Sequence, residues 1–176
     1  MKNKRESVPV PILIVLGIVF GVLAKAGDVA VQGSGLGNIL YSFGSVSTGF
    51  FIWVVVCTVI AILSTNKIWS GVNVFLFLTF MIFAYYLYSY FIVDYLVWSV
   101  VKFWLIMLIP SMVLGVIVWD IKTNRVLKYA VIVLGTVIMI FDMFILQGAI
   151  PVAMTMDVIL YAVFLAFILS KHFNKI

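Results

Sequence analysis

Residues 70–92 read SGVNVFLFLTFMIFAYYLYSYFI, without a single charge. About 20 predominantly apolar residues in a helix cross the hydrocarbon core of a bilayer, so this stretch alone is long enough to span. Five more stretches of the same character flank it. Together the six run at about 10–26, 46–64, 70–92, 96–119, 128–147 and 150–170, with a few residues of play at each end. None alternates with period two, which excludes a β-barrel. The expected fold is all-α: a polytopic integral membrane protein with six transmembrane helices, forming a single transmembrane domain over residues 1–176.

Composition says the same. Of 176 residues 66% are hydrophobic and 10% charged, and the mean hydropathy is +1.31. A soluble domain carries about a quarter charged residues to cover its surface. This excludes a cytosolic enzyme, a disordered chain and a nucleic-acid-binding domain, despite a net charge of +5. Six spans of about 20 residues consume about 120 positions, which leaves tails and short loops.

Lysine and arginine in short loops set orientation. Lys2, Lys4 and Arg5 precede the first span. Lys67 lies between spans 2 and 3, Lys122, Arg125 and Lys128 between spans 4 and 5, and Lys171 and Lys175 after span 6. With six spans, all nine fall on one side, so both termini are expected in the cytoplasm. The other side carries Lys25, Asp28 and Asp94, with no charge near Gln147 and Gly148. Trp69 and Trp119 fit the cytoplasmic aromatic belt. Tyr88, Tyr90, Tyr95 and Trp98 fit the outer one. A basic start, an apolar run and Ala24-Lys25-Ala26 also match a signal peptide; an uncleaved first span is expected instead.

The segment at about 27–45 is the one long loop, on the outer side. Its Gly33, Gly35 and Gly37 lack the preceding strand and βαβ unit that a nucleotide-binding loop needs. Leu36, Ile39, Leu40 and Phe43 recur at helical spacing, which predicts a short amphipathic helix lying on the outer face. Cys57 is the only cysteine, so no internal disulfide forms. His172, the only histidine, reads as a solvated tail residue.

Ionisable side chains inside a bilayer are costly and mark candidate sites. At about 1.5 Å per residue, Lys102 lies about 9 Å below the outer boundary, Asp142 about 7–8 Å and Asp157 about 10 Å. Lys25 and Asp28 sit just above that level. Trp53, Tyr85, Tyr86 and Tyr161 share it. If they point inward, Trp53, Tyr85, Lys102, Asp142 and Asp157 line an outward-facing pocket with Lys25 and Asp28 at its mouth. The bland reading is an ion pair that locks helices together, or a snorkelling Lys102. Gly17 and Gly21 form a Gly-x-x-x-Gly pair that admits a close helix neighbour, within the chain or in a partner subunit. Gly135 and Asp142, seven apart, share a helix face. Pro110, near mid-bilayer, predicts a kink. No cluster has metal-ligand spacing, and no nucleophile or cofactor motif is present, so neither enzyme activity nor a cofactor is expected.

The stretch Gly21-Val-Leu-Ala-Lys-Ala-Gly-Asp28, with Asn73-Val-Phe-Leu-Phe77 and Tyr85-Tyr-Leu-Tyr88, resembles a family of small six-helix membrane proteins of Gram-positive-type bacteria that carries no assigned function. That resemblance implies a bacterial plasma membrane and supplies no activity. In architecture alone the chain also resembles the substrate-binding S components of energy-coupling-factor vitamin transporters. Those are basic, of similar size and six-helical, with an outward pocket and small residues on helix 1 that meet a partner membrane subunit. Here Gly17 and Gly21 stand where that family usually has alanines, and the capping loop between helices 1 and 2 is Gly-rich. The expected function is an outward-facing pocket for a small cationic or aromatic solute, as in the binding subunit of a transporter. An accessory or scaffold protein that uses the Gly17/Gly21 face is the alternative, and a proton- or ion-coupled carrier is a third.

Overall fold

The computed structural model describes residues 9–31, 33–146 and 151–170. The tails with Lys2, Lys4, Arg5, Lys171, His172 and Lys175, and the turn at Gln147 and Gly148, lie outside the described residues. Among the described residues the chain is all-helical, without strands. The helices are α1 (Val10–Asp28), α2 (Gly35–Thr48), α3 (Phe51–Leu63), α4 (Lys67–Tyr88), α5 (Trp98–Val118), α6 (Arg125–Phe141) and α7 (Pro151–Leu169). Short π-helical turns extend α4 over Ser89–Val93 and α6 over Asp142–Leu146, and a 3₁₀ turn extends α5 over Trp119–Lys122.

Local chemistry fixes the starts. The first backbone N–H groups of a helix have no partner within it. The Ser34 side chain accepts from the Gly37 N–H to begin α2, and Asn66 does the same for Trp69 in α4. Asn124 takes both Val126 and Leu127 in α6. Proline opens α7 and flanks the start of α1, where its missing N–H costs nothing. α5 runs unbroken through Pro110.

Four helices, α1, α4, α5 and α6 with their extensions, are long and apolar enough to cross a membrane. Their outer faces are apolar: Ile106 and Ile109 on α5 are 65% and 67% exposed, and Val133 on α6 is 63% exposed. Largely apolar faces like these are at home in lipid and out of place in water. The protein is built to be membrane-embedded.

The segment expected as one span over about 46–64 is different. It starts later, as α3 at Phe51, while residues 46–48 end α2, and the two helices meet at 75° across Gly49 and Phe50. The short helix expected within about 27–45 is the 14-residue α2. α3 has 13 residues and at about 20 Å is too short to cross alone. The break has a chemical cause. Ser45, Ser47, Thr48 and Gly49 fall together. The Ser45 and Ser47 hydroxyls turn back on the Tyr41 and Gly44 carbonyls, competing with the helical ladder. Gly49 is extended, with φ −74° and ψ 164°.

The chain divides into two compact units, one of residues up to Lys25 with Val59–Trp119, the other of Ala26–Thr58 with Asp120 onward. In the first, α4 is central. Gly17 and Gly21 of α1 lie on its backbone: a Cβ at Gly17 would come within 2.6 Å of the Phe77 carbonyl oxygen, and one at Gly21 would overlap that of Met81. α5 crosses α4 as closely, through Gly71 and Gly115, with the Ser70 hydroxyl donating to the Gly115 carbonyl at 2.6 Å. In lipid there is no hydrophobic force between helices, so such backbone approach and interhelical hydrogen bonding supply the cohesion. Ser64 knots one end. Its hydroxyl receives Asn73 Nδ2 at 2.9 Å, and its carbonyl receives Trp119 Nε1 at 3.2 Å.

In the second unit, α7 packs against α2 and α6. Its inner face is Asp157, Tyr161, Phe164 and Ile168, spaced at helical intervals, with Phe164 and Ile168 fully buried. The Phe164 ring covers Gly135 of α6, where a Cβ would sit 2.9 Å from the ring edge. Gly135 therefore does bring its face close to a neighbour, as its spacing from Asp142 predicts. The end of α1 meets α2 backbone to backbone at Gly27 and Gly44.

Replacing Gly21 with Val must push α1 off α4, since the obstacle is backbone. Gly21→Val is expected to destabilise the protein by about 1–3 kcal/mol, while Val22→Ala, on the exposed side of α1, leaves it unchanged. Thermal unfolding in detergent micelles measures both, and equal melting of Gly21→Val and wild type contradicts the packing.

Candidate functional site

A helix break shielded from water leaves backbone groups that need partners. At the α2–α3 break these are the last carbonyls of α2 and the first N–H groups of α3. Each side is met by a side chain that the sequence had marked. The Trp53 indole N–H donates to the Ser47 carbonyl at 2.9 Å. The Asp142 carboxylate accepts from the Phe50 N–H at 2.9 Å through Oδ1 and from the Phe51 N–H at 2.6 Å through Oδ2. The Gly49 N–H closes the turn on the Val46 carbonyl.

Asp142 is fully buried. It heads the π-helical turn that extends α6, and its own N–H reaches back to the Ile138 and Met139 carbonyls. π-Turns of this kind widen a helix by a residue and recur at functional sites. The N-terminus of α3 carries a partial positive charge, so a carboxylate there gains both hydrogen bonds and the helix field. Gly49 makes room. A Cβ on it would overlap the Asp142 carboxylate.

Aromatic rings close the surroundings. Phe51 is wholly buried, 6.1 Å from the Tyr161 ring and 6.3 Å from Phe164, centroid to centroid. The Tyr161 hydroxyl is hydrogen-bonded to the Thr136 hydroxyl. Asp157, one turn before Tyr161 on α7, is also fully buried. Thus Trp53 and Asp142 meet at one place in the second unit, and Asp157 lies on the buried face of the helix whose Tyr161 and Phe164 hold Phe51.

The other residues singled out in the sequence stand differently. Lys25 lies over the Tyr85 ring, its Nζ 5.0 Å from the centroid, a cation–π contact within the first unit. Lys102 is exposed on the surface of α5 and Asp28 is exposed at the end of α1. An exposed Lys102 fits the snorkelling reading. Gly17 and Gly21 face α4 of their own unit. Among the described residues no three His, Cys, Asp or Glu side chains gather to hold a metal ion.

Sequence reasoning placed the boundary between the two helices near residue 45, a few residues before the break, and singled out none of Ser47, Gly49, Phe50 and Phe51. The signal was present as a Ser/Thr/Gly cluster at residues 45–49, a turn-forming composition hidden by the apolar run that follows.

The two caps differ in what their loss exposes. Asp142→Ala strands the buried Phe51 N–H and the part-buried Phe50 N–H and should cost about 1–3 kcal/mol for the buried one and less for the other. Asp142→Asn keeps one acceptor oxygen and should fall between that and wild type. Trp53→Phe removes one neutral hydrogen bond and should cost about 0.5–1.5 kcal/mol. Thermal unfolding in detergent gives the order, and an Asp142→Ala protein as stable as wild type would refute the cap. Comparison of the chain with protein-family models, with curated proteins and with solved structures found no match in any of the three.

Proposed function

We propose that this chain is a multi-pass protein of a bacterial plasma membrane, threaded six times with both ends cytoplasmic, that binds a small solute and serves transport, itself or as the binding subunit of a larger transporter. The count takes α2 with α3 as one broken span and α7 as the sixth. The observation that carries the transport reading is the break. Irregular backbone at membrane depth is tolerated where it is buried in protein or lines a cavity, and broken helices whose half-helix termini point at charged groups are a recurring feature of transporter binding sites. A buried carboxylate at the α3 N-terminus, a second buried carboxylate on α7, and the surrounding Trp53, Phe51 and Tyr161 supply the charge and the aromatic walls for a solute with an amine group or a ring. Catalysis has no part in this reading.

The accessory-protein alternative rested on a free Gly17/Gly21 face. With both glycines against α4, that surface is already used within the chain, which favours the solute reading. Carriage coupled to protons or ions remains a form of the same reading, with Asp142 or Asp157 as the titrating group.

Two measurements test the proposal. Reporter fusions at the two ends should both read cytoplasmic, and ends on opposite sides would exclude six spans. Native mass spectrometry of the purified protein should show a small-molecule adduct that weakens in Asp157→Asn and Trp53→Ala. Purification with a stoichiometric membrane protein and no small molecule would overturn solute binding in favour of a scaffold.

A further inference from the structure

We infer that the α2–α3 break is a proton-sensitive latch, closed by the ionised Asp142 carboxylate across the Phe50 and Phe51 N–H groups and loosened when that carboxyl takes up a proton. The latch depends on the geometry of the break and not on solute binding.

Three features combine at this point. First, both carboxylate oxygens are engaged by backbone N–H donors, at 2.9 and 2.6 Å. An ionised carboxylate is an acceptor only, whereas a protonated one has an O–H that must itself find an acceptor. Proton uptake therefore turns two charge-assisted bonds into weaker neutral ones, one of them to the hydroxyl oxygen, a poor acceptor. It also removes the charge that the α3 terminus favours.

Second, among the described residues of this unit, the elements that meet the break bring no basic side chain to it. The titratable groups of α2, α3 and α7 are Tyr41, Cys57, Asp157 and Tyr161. On α6 itself the basic residues Arg125 and Lys128 are at the opposite end, Lys128 being 14 residues, or about 21 Å, from Asp142. The backbone amides and the helix terminus are thus the electropositive partners of this carboxylate in its unit, and they are the groups that move if it is neutralised.

Third, the join is short and bent. Two residues, Gly49 and Phe50, separate α2 from α3, and the two helices meet at 75°. Gly49 is packed so closely under the carboxylate that no side chain fits. A small change at Asp142 is therefore delivered to the one joint at which this segment can change direction.

The sequence offers a clean reading of both N–H groups. Gly49-Phe50 is the only Gly-Phe pair in the chain and Phe50-Phe51 the only Phe-Phe pair. Full-length protein in lipid nanodiscs, labelled with carbonyl-¹³C glycine and ¹⁵N phenylalanine, gives one carbonyl-correlated amide resonance, that of Phe50. Carbonyl-¹³C and ¹⁵N phenylalanine together give one for Phe51. Both amide protons are expected to move upfield on one titration curve as pH falls from about 9 to about 2, a window that covers the ordinary aspartate value of about 3.9 and the large displacements seen at buried positions. Asp142→Asn should hold both resonances at fixed positions across that range. Asp142→Glu should restore a titration, and Asp157→Asn should retain it. Resonances of the wild type that stay fixed with pH overturn the latch without any variant having to fold. So does a titration that survives in Asp142→Asn or vanishes in Asp157→Asn. None of these readouts involves a solute, so a failed latch and a failed transport reading are separately visible.

Discussion

A buried backbone N–H group cannot be left without a partner, and the α2–α3 break frees several at once. The Asp142 carboxylate resolves this from 91 residues away in sequence, tying the head of α3 to the end of α6. Much of the second unit follows from that tie. Gly49 must be glycine, since a Cβ would occupy the carboxylate's place. Phe51 is drawn against Tyr161 and Phe164 of α7, and Phe164 in turn covers Gly135 of α6. The Trp53 indole completes the other side of the break at the Ser47 carbonyl. A charge that the sequence marks only as expensive is placed where its cost is offset by two short hydrogen bonds and a helix terminus.

The first unit solves a different problem. It has no broken span, and its helices are held by proximity. Gly17, Gly21, Gly71 and Gly115 let backbones approach, and Ser70, Ser64, Asn73 and Trp119 add hydrogen bonds across the contacts. These are the means available when apolar side chains gain nothing by leaving lipid for protein. Large apolar residues point outward in numbers, and the buried positions mix glycine, serine and alanine with large side chains such as Leu13, Val74 and Phe77. The Gly-x-x-x-Gly pair on α1 is no free docking surface, since its neighbour is α4.

The sequence was a good guide to where helices are and a poor one to how polar groups are used. The apolar runs located α1, α4, α5, α6 and α7 within a few residues, because a run of that length admits only a helix in lipid. It also marked Asp142, Asp157 and Trp53 as notable, since polar groups at membrane depth need partners. Partners themselves were not legible. Depth arithmetic grouped Lys102 with Asp142 and Asp157, but depth along a helix says nothing of which way a side chain faces, and Lys102 faces outward. Asp142 was expected to meet a lysine or a ligand; it meets two backbone amides. A backbone donor becomes available only where a helix stops, and the stop at Gly49 lies a few residues beyond the boundary that the apolar run suggests.

By itself the sequence determined the helical, membrane-embedded class of this protein, because chain length, apolar runs and the cost of bare backbone in lipid leave no other solution. It also determined which polar residues would be exceptional. Only the tertiary structure decided what those residues do. Whether a carboxylate binds a cation, a ligand or a helix terminus depends on which groups from distant parts of the chain converge on it, and that convergence is set by helix packing at Gly49, Gly135 and Phe164 rather than by any local pattern.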